Sequence, residues 1–490
     1  MTTPTHPPAA TLPERSDPNP APSPLPGRWR WAASALAVSA LSGCLITMPP
    51  TRVEAEVPPQ WQAPLPHAGT VTDLSAWWRS QTDATLAGLM EAAQAVSPGV
   101  AQALARIEAA RANQVQAGSA LLPQLSAGLS GQRGISQPSV PVNTTWGAGL
   151  QAAWEVDLVG ANRTVSQAAA AQVQGTQALW HDARVSVAAE VASVYHAERH
   201  CRGQLALQQQ EAASRAETAR LVQVSTQAGL AAAGDAALAR AAAADSAARA
   251  QQQALACERL VKTLVALTAL PEPALRQQLA SASASASPVS AGPAPVIAIP
   301  AQTIAQRPDV FAAEREVVVA SARVGAAEAQ RYPRLTLSGS IGGLQVRSGG
   351  NSTTLDTWSI GPLAVNVPLF DGGMRVANVA AAQAQYTQVV SAYKASVRQA
   401  VREVEEALLA LNSTHTRQAE VDAAAASMAR ALQAVQHRFD RGLASQLELE
   451  EARRQTLATR SAQLALTLER WQAWIALYRA SGGGFQPAAT

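Results

Sequence analysis

Two carboxylates near the end of the chain have a spacing that could attract cations. Glu448 and Glu451 are three residues apart, and in a helix this spacing places both side chains on one face. Two negative charges held together favour cations over anions. A solvated helix face is the alternative interpretation, because Glu450 lies beside them.

Two cysteines are placed symmetrically about a glycine. Cys201 precedes Gly229 by 28 residues, and Cys257 follows it by 28. If the chain turns back at Gly229 as a helical hairpin, the two thiols face each other, and an oxidising compartment would keep them joined. We therefore predict a Cys201–Cys257 disulfide. The alternative is that both are small buried hydrophobic side chains.

A third cysteine, Cys44, follows a segment with the features of an export signal. Two arginines precede a short apolar stretch that ends at Leu41, and small residues follow. Leu41-Ser-Gly-Cys44 resembles the bacterial lipobox, which implies removal of residues 1–43 and acylation of Cys44. Leu45 stands where an Asp would favour the inner membrane, so the outer membrane is favoured. An ordinary signal peptide with an incidental cysteine is the alternative.

Side chains for catalysis or metal binding are not grouped in the sequence. His196 and His200 have i, i+4 spacing and share a helical stretch with His181, but no third ligand completes the pattern, so exposed helix histidines are expected. No nucleophile–base grouping or phosphate-binding loop is present. We therefore expect no enzyme, no cofactor and no metal site. The formal net charge of +3, with cations and anions interspersed, gives no basic patch for nucleic acid.

These residues are organised by an internal repeat. Similar positions recur at nearly constant offsets of 210 to 213 residues, which indicates a tandem duplication. The matching positions are Pro123 and Pro333, Trp146 and Trp358, Gly160 and Gly372, and Gly229 and Gly442. The resulting domains are an N-terminal segment at 44–80, repeat 1 at 81–275, a low-complexity linker at 276–300, repeat 2 at 301–481 and a tail at 482–490.

Each repeat predicts the same order of elements. A helix is followed by two strands of about 12 residues, then by a very long helix, a glycine turn and a return helix that ends near 270 or 480. The stretch from Gly160 to Ala228 would be about 100 Å long as a helix. The first helices are expected at 82–120 and 301–331, and the strands at 124–135, 144–157, 334–346 and 355–369.

The strand lengths raise a problem of closure. Each strand is long enough to cross a membrane, yet one chain supplies four, and an open sheet edge cannot face lipid. We therefore expect copies of the chain to surround an axis and complete a closed wall. Trp146, Trp154 and Trp358 lie near strand ends, where they would anchor at the lipid interface or pack against neighbouring helices.

The ordered motifs resemble the outer-membrane efflux proteins, the outer membrane factors of tripartite pumps, in the lipoprotein branch similar to nodulation protein T. The resemblance covers nearly the whole mature chain. It is carried by Ala76-Trp-Trp78, Ala109–Asn113, Trp154–Leu158, Gln306–Val310, Arg331–Leu335, Pro368–Gly373 and Arg441–Ser445.

The resemblance implies an α+β membrane protein that is a homotrimer, with a 12-stranded β-barrel, four strands per chain, continued by a long periplasmic α-helical barrel. It implies a lipid-anchored location in the outer membrane of a Gram-negative bacterium, extending into the periplasm. It also implies a passive exit duct for drugs or other toxic solutes. The partners are a periplasmic adaptor and an inner-membrane transporter, for which the lipoprotein branch favours a proton-driven kind.

The resemblance also assigns roles at the two glycine turns, which become the periplasmic tips. Acidic residues six and nine positions after the second glycine match Glu448 and Glu451, so three copies would place six carboxylates around the pore constriction. In relatives, a tyrosine three residues before the second glycine forms a hydrogen bond that helps to lock the mouth. This chain has Phe439 at that position, which cannot form this bond. The residues assigned to the tips and to adaptor contact are Gly229, Leu230, Ala231, Asp235, Arg441, Gly442, Leu443, Ala444 and Ser445.

A lipid-anchored periplasmic coiled-coil scaffold without transport is the alternative function. It explains the long helices and Cys44. It does not explain two strand pairs of membrane-spanning length that recur at a constant offset.

Overall fold

The computed structural model describes residues 46–58, 83–135, 142–285, 304 and 307–485. The expected signal segment, the acylation site Cys44 and most of the linker lie outside these residues. In chain order, helices α1 to α8 are Ala84–Val96, Pro98–Ser119, Ala161–Gln227, Ala233–Thr268, Glu272–Ser285, Pro308–Ala329, Met374–Asp440 and Gln446–Ala480, and strands β1 to β4 are Gln124–Gly134, Asn143–Val156, Arg334–Ser348 and Asn351–Asn366.

The two halves of the chain have the same order of elements. A helix (α2 or α6) is followed by two strands, a helix of 67 residues (α3 or α7) and a return helix (α4 or α8). At 1.5 Å per residue, each 67-residue helix is about 100 Å long. Helices of this length are stabilised by sideways packing, and α3 packs on α4, α6 and α8, while α7 packs on α8 and α6.

The first predicted helix, 82–120, is two helices. Ser97 separates α1 from α2: its hydroxyl accepts a hydrogen bond from the Val100 amide at 3.4 Å, and Pro98 occupies the first turn of α2. A proline has no amide hydrogen to continue the preceding helix. The prediction of one continuous helix was therefore wrong at this position.

Part of the predicted linker is helical. Residues 276–285 lie in α5, because Leu275 and Leu279 are buried in the core and alanine is the strongest helix former. The prediction of a low-complexity linker at 276–300 concerns composition, and the structure adds that 276–285 are helical. The remainder of the linker lies outside the described residues.

The apolar core lies where the shorter helices meet the long ones. One cluster joins α1, α3, α4 and α5 through side chains that include Leu89, Tyr195 and Leu264. A second joins α3, α7 and α8 and includes Leu408 and Trp474. Both clusters lie in the middle part of α3, so the hairpin ends and the strands extend away from the core on opposite sides.

The four strands form one antiparallel sheet in the order β1-β2-β3-β4. The chain passes from one half of the sheet to the other between β2 and β3, so each half supplies one strand pair. Within this sheet β1 and β4 are the edge strands and have one neighbour each. In the described part of the chain, no helix is both long enough and apolar enough to span a membrane.

Candidate functional site

The two helical hairpins turn with the same backbone geometry. Gly229 and Gly442 each have φ of 73°, and in each turn the amide of the following leucine donates to a carbonyl five residues earlier at 2.8 Å. This arrangement closes the end of a helix and needs a left-handed residue, for which glycine carries no steric penalty. The structure therefore places both glycines at the turns, as the repeat predicts.

Each turn exposes a leucine at its tip. Leu230 and Leu443 are 83% and 66% exposed. Ala231 and Ala444 follow them and are partly buried. Two apolar side chains at the ends of long polar hairpins are suited to contact another protein.

The start of α8 is held by a reciprocal cap. The Ser445 hydroxyl accepts a hydrogen bond from the Glu448 amide at 3.2 Å, and the Glu448 carboxylate accepts one from the Ser445 amide at 2.8 Å. This cap and the guanidinium of Arg438 keep the pKa of the Glu448 carboxyl below its ordinary value. Glu448 is therefore ionised at neutral pH and points out from the first turn of α8.

Glu451 is on the same exposed side of α8 as Glu448. Its carboxylate pairs with Arg454 at 2.7 Å, and this hydrogen bond lowers the pKa of Glu451. The side chains of Glu448 and Glu451 are about half exposed, at 50% and 55%. In one chain, both are charged and reach solvent.

Asp235 and Arg441 were both expected at the tips. Among the residues that the structure describes, neither side chain joins the two hairpins within one chain. Asp235 lies in the first turn of α4, and among the described residues its side chain has no hydrogen bond or ion pair to the second hairpin. The basic residue that binds the second tip is Arg438, which donates to the Leu443 carbonyl at 3.0 Å. Arg441 is exposed at the end of α7.

Glu450 is buried, contrary to the solvated face that the sequence suggested. Its side chain is 1% exposed and accepts hydrogen bonds from Ser214 on α3, from Arg453 at 2.7 Å and from Gln446 at 3.0 Å. A buried carboxylate is tolerated because these donors replace water. We call these four residues the Glu450 cluster.

The Glu450 cluster lies on the junction between the two hairpins. Arg454 of α8 donates to the hydroxyls of Ser214 and Thr218 on α3, at 3.3 and 3.2 Å. A cavity of about 610 Å³ adjoins the cluster and is also lined by Leu432 of α7. Sequence analysis missed this contact because Ser214 and Glu450 are 236 residues apart. We find no local pattern that would have paired them.

Cys201 and Cys257 form a disulfide in the structure, with Cα atoms 5.5 Å apart. Both side chains are buried. The bond joins α3 to α4 within the first hairpin. The second hairpin, α7 and α8, has no cysteine in its sequence.

The expectation of exposed histidines was wrong for His196. Its ring is stacked on Trp471 of α8, with centroids 4.0 Å apart and planes 12° apart. Burial, helped by the charge of Arg199, lowers the pKa of His196 to about 3. A buried ring stacked between α3 and α8 is a packing residue, and it is neutral at physiological pH.

The other two histidines are also packed. His200 Nδ1 lies 3.2 Å from the Leu464 carbonyl oxygen, and His181 lies against Phe485, with ring centroids 5.3 Å apart. Burial is the main cause of a lowered pKa at His181. The described residues contain no group of three or more His, Cys, Asp or Glu that could hold a metal.

The four-stranded sheet has two chemically different faces. Residues directly opposite in antiparallel strands share a face, so the register sorts the side chains. We call the face that carries Leu150 the apolar face and the face that carries Gln151 the polar face. Members of the apolar face are Leu125, Leu129, Trp146, Leu150, Trp154, Leu337, Ile341, Trp358, Ile360, Leu363 and Val365.

The polar face carries small and hydroxyl side chains in its central rows. Examples are Ser126, Ser130, Thr145, Ser340, Thr357 and Ser359. Leu344, Val346 and Leu355 also lie on it, toward the ends of β3 and β4. A sheet with one apolar and one largely polar face matches the pattern of a barrel wall between lipid and water.

Three tryptophans are on the apolar face at different heights. Trp154 is near the helical end of β2, and its ring N–H donates to the Leu121 carbonyl at 3.1 Å. Trp146 is eight residues earlier, near the far end, and its ring covers Gly131, where an added Cβ would lie 2.7 Å from the ring. Trp358 is between these heights and is 74% exposed.

The N-terminal residues that the structure describes run beside α6 and α7. The hydroxyls of Ser321 and Tyr386 donate to the carbonyls of Pro49 and Pro50, at 2.6 and 2.7 Å. Val57 packs on an apolar cluster farther along α7, near Val397. This segment is thus fixed to the second half of the chain.

Comparison with known proteins identifies a family whose model covers most of the chain. The family model "Outer membrane efflux protein" matches residues 89–270 and 299–483. Nodulation protein T of Rhizobium leguminosarum bv. viciae is 28% identical over 457 residues, covering 92% of this chain and 93% of that protein. Outer membrane protein OprJ of Pseudomonas aeruginosa is 29% identical over 472 residues, covering 92% and 95%.

Solved structures agree with the fold. The outer-membrane channel OprN has a TM-score of 0.75 at 26% identity, covering 89% of this chain and all of that one. The CmeC outer membrane channel of Campylobacter jejuni also has a TM-score of 0.75, at 21% identity, covering 91% and 96%. With the family match extending over most of its residues, the chain belongs to the outer membrane efflux protein family.

Proposed function

We propose that this protein is the outer-membrane channel of a tripartite efflux system, a passive duct that carries solutes to the exterior. The observation that carries the proposal is one chain in which a two-faced sheet is joined to two helices about 100 Å long, each followed by a return helix. Its relatives are named for export of pyoverdine, solvents, toluene and cations. This range of cargoes favours a general duct that serves substrates chosen elsewhere.

Three copies would close the wall. The edge strands β1 and β4 leave unpaired backbone groups that cannot face lipid. Three chains with four strands each give twelve, an even number in the range of closed outer-membrane barrels. The apolar face then contacts lipid and the polar face lines the pore, continued by a tube made from α3, α4, α7 and α8 of each copy.

The height of the apolar face supports this orientation. Trp146 and Trp154 are eight residues apart on β2, about 27 Å along a strand. A strand tilt of about 40° reduces this to roughly 20 Å across the membrane, close to the ~25 Å apolar band between aromatic girdles of such barrels. The helical hairpins then extend into the periplasm from the Trp154 end.

Acylation of Cys44 is consistent with chain length. Tyr386 binds Pro50 and lies 12 residues along α7 from Met374, about 18 Å from the end of the sheet. Cys44 precedes Pro49 by five residues, which span up to about 17 Å when extended. We therefore propose that Cys44 carries the lipid that anchors the chain in the outer membrane.

At the other end, the hairpin tips form the periplasmic mouth. Glu448 and Glu451 of three copies would surround it with six carboxylates, which favours passage of cations. The exposed Leu230 and Leu443 suit contact with a periplasmic adaptor, which links the channel to an inner-membrane transporter. The lipoprotein branch favours a proton-driven transporter.

The test compares neighbouring residues on the two faces of β2. Leu150→Arg places a charge on the lipid side, where it costs about 2–4 kcal/mol at mid-membrane, whereas Gln151→Arg places the same charge in the pore. We expect both the unaltered chain and Gln151→Arg to yield a heat-modifiable trimer that conducts ions in planar bilayers. Leu150→Arg should fail to insert. A chain that stays monomeric in mild detergent and conducts nothing would overturn the proposal in favour of a scaffold.

A further inference from the structure

The far end of the apolar face carries two arginines in one row. Arg133 on β1 is opposite Thr144 on β2, which in turn is opposite Arg347 on β3. Two strand spacings separate the arginines, about 10 Å between Cα atoms. Because opposite residues share a face, both guanidinium groups leave the sheet on the apolar side, beyond the row that contains Trp146.

Neither arginine has a partner within the part of the chain that the structure describes. Both are exposed, and no carboxylate or carbonyl of the described residues forms a hydrogen bond or ion pair with them. Other exposed arginines in the helices, such as Arg111 and Arg402, have a carboxylate three or four residues away. The two arginines of this row are therefore available to an external anion.

The position of the row defines the chemistry of that anion. On the proposed barrel, on which this inference rests, Trp146 marks the outer edge of the apolar band, so the next row is level with the lipid headgroups outside the cell. Arginine stems pass along apolar surface while the charged group reaches water. The planar guanidinium donates paired hydrogen bonds to phosphate oxygens.

We infer that Arg133 and Arg347 bind the phosphates of an outer-leaflet lipid whose acyl chains lie on the apolar face below them. Leu129, Leu150 and Ile341 provide that apolar surface in the rows nearer the helices. A lipid uses both the charged row and the apolar rows, whereas free phosphate uses only the first. A headgroup with two phosphates can bind both arginines at once.

A second copy of the chain is the competing occupant. Asp356 also lies on the apolar face, on the edge strand β4. Arg133 is on the other edge strand, so a trimer could pair Arg133 of one copy with Asp356 of the next. In that case Arg133 would stabilise the trimer and would not bind lipid. Arg347, on an inner strand, is not at an edge.

The experiment counts lipid bound to the intact trimer. The full chain is reconstituted in phosphatidylcholine nanodiscs containing a little diphosphoryl lipid A or, in a parallel sample, its dephosphorylated form. Native mass spectrometry then measures the lipid A retained per trimer. We expect retention of the diphosphoryl form to fall about tenfold for Arg133→Gln or Arg347→Gln and further for the double variant, since each loses a charge-assisted contact. Arg334→Gln, at the helical end of β3 on the polar face, is the matched control and should retain lipid normally.

Three results separate the possibilities. Equal retention of the two lipid forms, or no change in the double variant, overturns the inference while leaving the channel intact. Loss of trimer heat stability in both Arg133→Gln and Asp356→Asn, with unchanged lipid retention, assigns Arg133 to the contact between copies and also overturns it. Conductance of the same preparations tests the barrel itself: if the unaltered chain forms no conducting trimer, the proposed function fails first.

Discussion

The carboxylate of Glu450 on α8 accepts a hydrogen bond from the hydroxyl of Ser214 on α3, inside the protein. This contact joins the second hairpin to the first, one turn from the exposed Glu448 and Glu451. The residue between the two proposed pore glutamates therefore positions the helix that carries them.

Neutralising Glu450 should loosen the mouth. Glu450→Gln keeps a similar shape but removes the charge that Arg453 and Ser214 recognise, and hydrogen bonds to charged groups are worth about 1.5–3 kcal/mol. We expect a larger or noisier single-channel conductance and a lower melting temperature. Glu420→Gln, at an exposed position on α7, is the control. Unchanged conductance in Glu450→Gln would show that the cluster does not limit the mouth.

The sequence contained enough local information to predict much of the fold. The turns at Gly229 and Gly442, the strand pairs and the ends of the return helices follow from nearby residues and from the repeat. Pro98 marked a helix break that the sequence interpretation passed over. Contacts between distant residues, such as Ser214 with Glu450, depend on how the hairpins pack, and neither partner has a local pattern that identifies the other.

Burial of individual side chains also depends on distant elements and could not be predicted from the local sequence. A glutamate between two exposed glutamates looks solvated in the sequence, and Glu450 is buried because α3 covers that side of α8. His196 has the spacing of an exposed helix residue, but Trp471 from the other half of the chain covers it. Helical periodicity is weak in alanine-rich helices, where small side chains occupy both faces, so periodicity alone could not separate the two cases.

Removing the charges of Glu448 and Glu451 should abolish cation preference. The double variant Glu448→Gln/Glu451→Gln is expected to shift the reversal potential under a salt gradient toward zero, because the ring of carboxylates is lost. Glu108→Gln, an exposed glutamate on α2, should leave the potential unchanged. A cation preference that persists in the double variant would place the selectivity elsewhere in the duct.

The pH dependence of this selectivity has a defined sign. The Ser445 cap at Glu448 and the Arg454 hydrogen bond at Glu451 both lower the carboxyl pKa. Each contact favours the charged carboxylate within one chain, whereas the like charges of the proposed ring act in the opposite direction. The effect of each contact is therefore read from the difference between a variant and the unaltered channel. Arg454→Gln should raise the pH at which the preference is lost. If Arg454→Gln and the unaltered channel lose cation preference at the same pH, the Arg454 hydrogen bond does not lower the pKa of Glu451.

The disulfide should contribute to the stability of the first hairpin. Cys201 and Cys257 are 56 residues apart, and closing a loop of this length in the unfolded chain is worth about 4 kcal/mol in the chain-entropy model. Cys201→Ala/Cys257→Ala should lower the melting temperature while leaving a folded trimer, and reductant should lower it only in the unaltered chain. Mass spectrometry of the purified protein under non-reducing conditions should find no free thiol at Cys201 or Cys257.

Neutral His196 should make the protein less stable in mild acid. Its pKa is about 3 in the folded state and about 6.5 when unfolded, so between these values the unfolded chain binds the extra proton. The free energy of unfolding should therefore decrease as pH falls below about 6.5, by up to about 1.4 kcal/mol per pH unit from this residue. His196→Phe keeps a ring on Trp471 but cannot titrate, and its melting temperature should decline less between pH 7 and pH 5. His415→Gln, at an exposed site on α7, should decline as the unaltered protein does; equal declines in all three would mean that His196 is accessible to protons in the folded state.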